Sequence, residues 1–456
     1  MVFSSSIFIF AFLPLTLLFY FLVPKKIKNY VLLLFSLIFY LFGGPKFIVL
    51  LLSVVLINYI GAILIDKYQS KIWLVITIVL NLGILGYFKY LDFFISSFNS
   101  VFGSSIKQLG IVLPIGISFY IFQALGYTID VYRKEVKVQK NFFLLLFYVS
   151  FFPQLVAGPI VRYKTIEKEI VSRKSSLEDI SDGIERFILG LAKKMIIANQ
   201  VGALADIIYS SSDIGTPLAI LGAISYMLQI YFDFSAYSDM AIGMGRMFGF
   251  HFLENFNFPY IAKSVTDFWR RWHISLSSFF RDNVYIPLGG NRVSKKRWIF
   301  NLLVVWFLTG LWHGASWNFV LWGLYYFVFL IIEKLWLGKY LEKFKVLNHV
   351  YTLVVVFFGW ILFRCEGIHG LSVYLKELFS FHGSDMNTIL IYLETYGLYL
   401  GLGILFSTPI YYVVKDKFND KIWFNVLKYM GLIVLFMMCA CYLARSTYNP
   451  FIYFRF

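Results

Sequence analysis

The sequence is poor in charge. Of 456 residues only 14% are Asp, Glu, Lys or Arg, where an ordinary soluble domain carries about 25%. That shortage, beside 59% hydrophobic residues, excludes a disordered chain, a fibrous protein and an ordinary cytosolic enzyme. Acidic residues are the scarcer sign: 41 Lys and Arg against 25 Asp and Glu leave a net charge of +16. Cysteine is scarcer still. Cys365, Cys439 and Cys441 lie in or beside apolar runs, with no spacing that suggests a disulfide framework or a metal site, so no metal is expected. The chain also lacks a long polar stretch, a fixed-period repeat and a low-complexity segment. Met1 to Val23 has no basic start, since the first lysine is Lys25, and no small-residue cleavage site. It reads as a first spanning helix rather than a signal peptide.

What is abundant is aromatic and aliphatic. Phe, Tyr and Trp make up 21% of the chain, packing mass and interfacial anchors for a bundle in lipid. The basic excess then reads as positive-inside loop charge and contact with membrane lipid, not as affinity for nucleic acid. A spanning helix needs about 20 apolar residues. Candidate runs lie near 6–24, 30–43, 46–65, 72–88, 111–129, 141–157, 186–208, 217–232, 298–312, 316–337, 350–364, 388–414 and 422–444. The expectation is an all-α polytopic membrane protein of roughly eleven to thirteen transmembrane or re-entrant helices, in one domain over 1–456. Lys25, Lys26 and Lys28 after the first run, and Lys415, Lys417 and Lys421 before the last, place those loops in the cytoplasm and both chain ends outside.

Residues 233–297 break the pattern: they are too polar to face lipid throughout. Irregular backbone at membrane depth survives only inside protein or along a cavity, so this stretch is the expected functional centre. Within it, 263–297 reads as a basic interfacial segment. Eight basic residues, Arg270, Arg271 and Arg292 among them, stand against Asp267 and Asp282, giving +6. Arginine forks suit phosphates of a cofactor; lipid headgroups are the plainer partner. The paired glycines of Ile286-Pro287-Leu288-Gly289-Gly290-Asn291-Arg292 mark a tight turn.

His313 is flanked by apolar helices on both sides. An imidazole at that depth stays neutral, as a general base must be, although a core histidine satisfied by its neighbours fits the position equally well. His273 lies 40 residues earlier, also among tryptophans. Asp233 and Asp239 flank Phe234-Ser235-Ala236-Tyr237-Ser238 and read first as partners in structural ion pairs with nearby arginines. The tail, 446–456, ends Pro450-Phe451-Ile452-Tyr453-Phe454-Arg455-Phe456. A segment so apolar lies at the membrane interface or inserts back into the protein.

Taken together, five stretches resemble the membrane-bound O-acyltransferase family, in its alginate and peptidoglycan O-acetyltransferase branch. They are Phe151 to Ile160, Tyr231 to Gly243, Asp267 to Arg292, Trp312 to Gly323, and the tail. One departure is Ala236, where glycine is expected. The resemblance implies helices around a central tunnel, His313 as the catalytic histidine and His273 as a second tunnel histidine. It implies acetyl-CoA as a donor substrate rather than a resident cofactor, a bacterial cytoplasmic (inner) membrane, and an external partner O-acetyltransferase. The tail is similar to the end of the small partner subunit of teichoic acid D-alanylation, which implies Tyr453 as an acyl-carrying hydroxyl.

The resulting expectation is acetyl transfer to a cell-envelope polysaccharide. Arg270, Arg271 and Arg292 would hold the donor phosphates, and His273 or Asn318 would donate to the oxyanion. The Lys-, Ile- and Phe-rich composition leans towards peptidoglycan over alginate as the acceptor. D-alanyl transfer to teichoic acid, a polysaccharide or lipid flippase, and a non-catalytic scaffold are the competing readings.

Overall fold

A computed structural model describes every residue except 157, 342, 446–447 and 453–456, with the side chain of Lys345 also left undescribed. Among the described residues there is no strand. Eight helices are long and apolar enough to cross a membrane, from Pro45–Tyr68 to Ile422–Arg445, and two shorter apolar ones cover Phe8–Leu22 and Lys28–Leu41. The apolar run 388–414 is not one helix. It breaks after Phe406 and restarts at Ile410, because Pro409 cannot donate to the preceding turn.

The chain forms two compact units: Met1–Phe187 with Met240–Leu253, and Ile188–Asp239 with Glu254–Phe456. The first packs aromatic rings edge to face, as in Phe12 against Phe152 at 5.3 Å. It also ties helices together by polar contacts. Asn58 donates to Asn81 Oδ1 at 2.9 Å, and Thr128 donates to Asn58 Oδ1 at 2.8 Å. Apolar packing alone does not distinguish a neighbouring helix from lipid, so buried amides of this kind supply specificity.

The second unit holds both candidate histidines and the tail. Its centre is a helical hairpin, Lys295–His313 and Trp317–Ile332. The helices cross at two glycines. A Cβ on Gly310 would stand 2.3 Å from the Phe319 carbonyl oxygen, and one on Gly323 would stand 2.2 Å from that of Trp306. Only glycine permits this approach. Trp269, Trp272, Trp322, Tyr326 and Trp360 fill the space beside it, for example Trp272–Trp360 at 4.7 Å.

Residues 233–247 are not irregular. The helix Gly215–Met247 runs straight through Asp233 and Asp239. It carries them buried because lysines meet them: Lys194 with Asp233 and Lys193 with Asp239, each at 2.6 Å. The lysines share a π-helical turn, Lys193–Ala198, a distortion often found at functional positions. The basic segment is two short helices, Val265–Arg271 and Ile274–Phe280. Phe268, Trp269 and Trp272 are core residues of the unit rather than interfacial anchors.

Candidate active site

His313 is the last residue of its helix, where the chain leaves in an extended turn at Gly314. Its position is set from three sides. The ring meets the edge or face of Trp312 at 5.1 Å, Trp322 at 4.9 Å and Phe363 at 5.3 Å. It is 5% exposed. The glycine crossing fixes the hairpin, the hairpin fixes Trp322, and Trp322 fixes the imidazole.

His273 ends the bend between the two short helices. Its φ of 45° is a left-handed conformation uncommon outside glycine and worth a functional reading. The bend is held by Asn255, whose carbonyl accepts from Ile274 N at 2.9 Å. Asn255 Oδ1 accepts from the Ser275 main-chain N–H at 3.2 Å, which fixes it as the acceptor end of the amide. His273 Nδ1 lies 3.2 Å from the same oxygen, so Nδ1 carries the proton. Burial pushes this imidazole down to about 3, leaving it neutral near pH 7. The other nitrogen, Nε2, is a bare lone pair, buried and without a partner. His273 is therefore an acceptor at the site. The expectation that it donates to an oxyanion is corrected by this tautomer.

Both histidines line one cavity of 240 Å3. Exposed Arg270, Arg281 and Lys334 stand on its wall, Arg281 already paired with Asp282 at 2.7 Å, and no carboxylate is among the described lining residues. Of the three arginines expected to hold a donor, the structure brings only Arg270 here. Arg271 is bound to Asp267 at 3.0 Å and to the Asn257 carbonyl at 3.2 Å. Arg292 is exposed on the Gly289–Gly290 turn, outside the cavity lining. Both glycines there have positive φ, and Asn301 pins the turn by donating to the Gly290 carbonyl at 3.1 Å. Asn318 is also elsewhere. Its amide nitrogen donates to the carbonyls of Cys365 and Gly367, so it is not available as an oxyanion donor. The sequence reading did not single out Arg281, one of the eight basic residues of 263–297, Lys334, which follows an apolar run and Glu333, or Asn255, which shares no motif with His273.

His313 also borders a second, smaller gap of 20 Å3, together with Asp233, Trp272, Phe363, Phe451 and Ile452. Phe363 and Ile452 in turn border a third cavity of 280 Å3, lined by Gln229, Asn318, Arg364 and Glu366 among others. Mouth, neck and outer chamber, as the three spaces are named, share lining residues: His313 borders the first two, and Phe363 and Ile452 border the last two. The neck holds about one water.

The described part of the tail inserts into this unit. Tyr448 donates to Asp206 Oδ2 at 2.8 Å, and Ile452 N donates to Asp233 Oδ2 at 2.8 Å. Phe451 stacks on Tyr237 at 4.6 Å. Phe451 and Ile452 are each 7% exposed. Of the two placements open to an apolar tail, the protein interior is the one taken. Tyr453 itself lies outside the described residues.

Residues 133–373 match the model of MBOAT, the membrane-bound O-acyltransferase family. The chain is 37% identical to "Probable alginate O-acetylase AlgI" of Azotobacter vinelandii, covering 100% of both chains. It is 35% identical to a peptidoglycan O-acetyltransferase of Helicobacter pylori over 85% of this chain and 81% of that one. A teichoic acid D-alanyltransferase of Bacillus subtilis is 30% identical over 56% of this chain and 69% of its own.

Proposed function

The chain belongs to the membrane-bound O-acyltransferase family, and from that premise we propose that it moves acetyl from acetyl-CoA, through the neck at His313, to a carrier hydroxyl on its own tail. The observation that carries the reading is that one buried histidine, His313, lines both a cavity with basic residues on its wall and the gap that the inserted tail borders. It is a multi-pass membrane acyltransferase. The bacterial inner membrane and an external partner enzyme are part of the proposal.

Arg270, Arg281 and Lys334 attract the phosphates of the donor at the cavity mouth. The thioester end enters towards His313. His273 Nε2, a lone pair in an apolar wall, accepts from an amide N–H of the donor's pantetheine arm. His313 removes the proton of the attacking hydroxyl, which we assign to Tyr453. A free phenol has a pKa of about 10 and needs such a base. The phenolic oxygen bonds to the acetyl carbon, the C–S bond breaks, and CoA thiolate leaves and takes up a proton. Trp269 is our candidate oxyanion donor. It lines the histidine cavity, and its indole N–H is buried without a partner. The phenyl acetate so formed is then attacked from the outer chamber by an acceptor hydroxyl, carried by the partner or the polysaccharide, which returns the tail to its starting state.

Acetyl is favoured over D-alanyl because relatives that match the whole chain are named acetylases, while a D-alanyltransferase matches 56% of it. The relatives carry both alginate and peptidoglycan in their names. The reading is therefore set at the class they share, a polysaccharide hydroxyl, with peptidoglycan resting on composition alone.

The test is CoA release from acetyl-CoA by the purified chain in detergent. His313→Ala is expected to abolish it, and Trp269→Phe to lower kcat by about 100-fold, the typical loss for one oxyanion donor. Wild-type release from His313→Ala would overturn the reading.

A further inference from the structure

Buried ion pairs rarely stabilise a protein unless further hydrogen bonds satisfy both ends. Lys194 and Asp233 are such a pair, 2.6 Å apart with side chains 4% and 2% exposed. Their further bonds go to the tail. Lys194 Nζ donates to the Pro450 carbonyl. Asp233 Oδ1 holds the ammonium, and Oδ2 accepts from Ile452 N at 2.8 Å. The pair therefore grips the tail main chain on both sides of Phe451, whose ring is stacked on Tyr237. Upstream, Asn199 donates to the Tyr448 carbonyl at 3.4 Å. Lys194 and Asn199 stand at either end of the run that begins with the π-helical turn Lys193–Ala198. Asp233 also lines the neck beside His313.

We propose that Lys194 and Asp233 are a clamp that sets the register of the tail at the neck, and so positions the residue after Ile452 for acyl transfer. This rests on the carrier reading above. Both contacts are to main-chain atoms, so the clamp fixes how far the tail inserts, not which side chains it bears. Lys194 and Asp233 are positioning residues: they act through Ile452 and take no part in bond making.

A buried pair can be exchanged for apolar residues of similar volume without loss of stability. The full chain carrying Lys194→Met and Asp233→Leu together therefore separates the clamp from folding. It is expected to melt as the wild type does and to keep its KM for acetyl-CoA. Transfer of acetyl to the tail should fall by about 100-fold in kcat, the scale of a misplaced reacting group. Carboxypeptidase should trim its tail where the wild-type tail resists. Wild-type resistance and wild-type transfer in a folded double variant would overturn the clamp. A second pair of variants leaves the ion pair untouched. One glycine inserted between Arg445 and Ser446 should be tolerated, because the clamp holds Ile452 regardless of slack upstream. One inserted between Ile452 and Tyr453 should abolish transfer. Equal losses from the two insertions would also overturn it. Should the wild type place no acetyl on the tail, the carrier reading fails. Carboxypeptidase resistance then still decides the clamp.

Discussion

At the scale of single residues, the site is governed by which nitrogen or oxygen is already committed. Asn255 commits His273 Nδ1 as a donor, which turns an apparent proton source into a lone pair. Its burial has a consequence for stability. As pH falls below about 6.5, the unfolded chain takes up a proton that the folded imidazole refuses until about 3. Stability therefore falls on acidification through that window, by about 1.4 kcal/mol per pH unit. Melting midpoints of wild type and His273→Gln between pH 7.5 and pH 5 check this, the two lying apart at the higher pH and converging as pH falls. A constant separation would count against it. His273 and His313 were legible in the sequence as ionisable groups in apolar surroundings. Their tautomers and partners were not, because Asn255 lies 18 residues before His273 in a stretch of mixed phenylalanines and polar residues that marks none of them as a partner. Arg271 and Arg292 show the reverse error. Asp267 stands four residues before Arg271, a spacing that pairs the two on one helical face and was legible in the sequence, whereas the place of Arg292 outside the cavity was not.

The elements carry the site by close packing. His313 depends on the crossing of Lys295–His313 with Trp317–Ile332, and that crossing depends on Gly310 and Gly323. Gly310→Ala pushes a methyl into the Phe319 main-chain oxygen. It is expected to cost about 1–3 kcal/mol and to lose CoA release along with stability. Gly401→Ala, where nothing stands within 4 Å of the new Cβ, is the control. It should be neutral or slightly stabilising, since alanine favours helix. Thermal melts with activity assays on both variants decide it; an unperturbed Gly310→Ala would remove the glycine crossing from the account. The apolar runs gave most helices within a few residues. Of the segment read as irregular, the start from Asp233 to Met247 is a continuous helix, while 248–264 is largely irregular as expected. That helix's carboxylates are neutralised by Lys193 and Lys194, some forty residues upstream, and no local pattern announces a partner at that distance.

At the scale of the whole molecule, the shortage of charge and its placement have become one observation. The cations on the cavity wall are exposed and share that cavity with two buried histidines. The buried Lys194–Asp233 pair, whose aspartate lines a gap with His313, holds the tail. The central claim is that acetyl passes between these two places, and one measurement tests it directly. Purified full-length protein is incubated with acetyl-CoA, and the peptide covering residues 446–456 is examined by mass spectrometry. The account predicts one added acetyl group on Tyr453 in the wild type, and none in His313→Ala or Tyr453→Phe. An unmodified tail in wild-type protein that is releasing CoA, or an acetylated tail in His313→Ala, would contradict it.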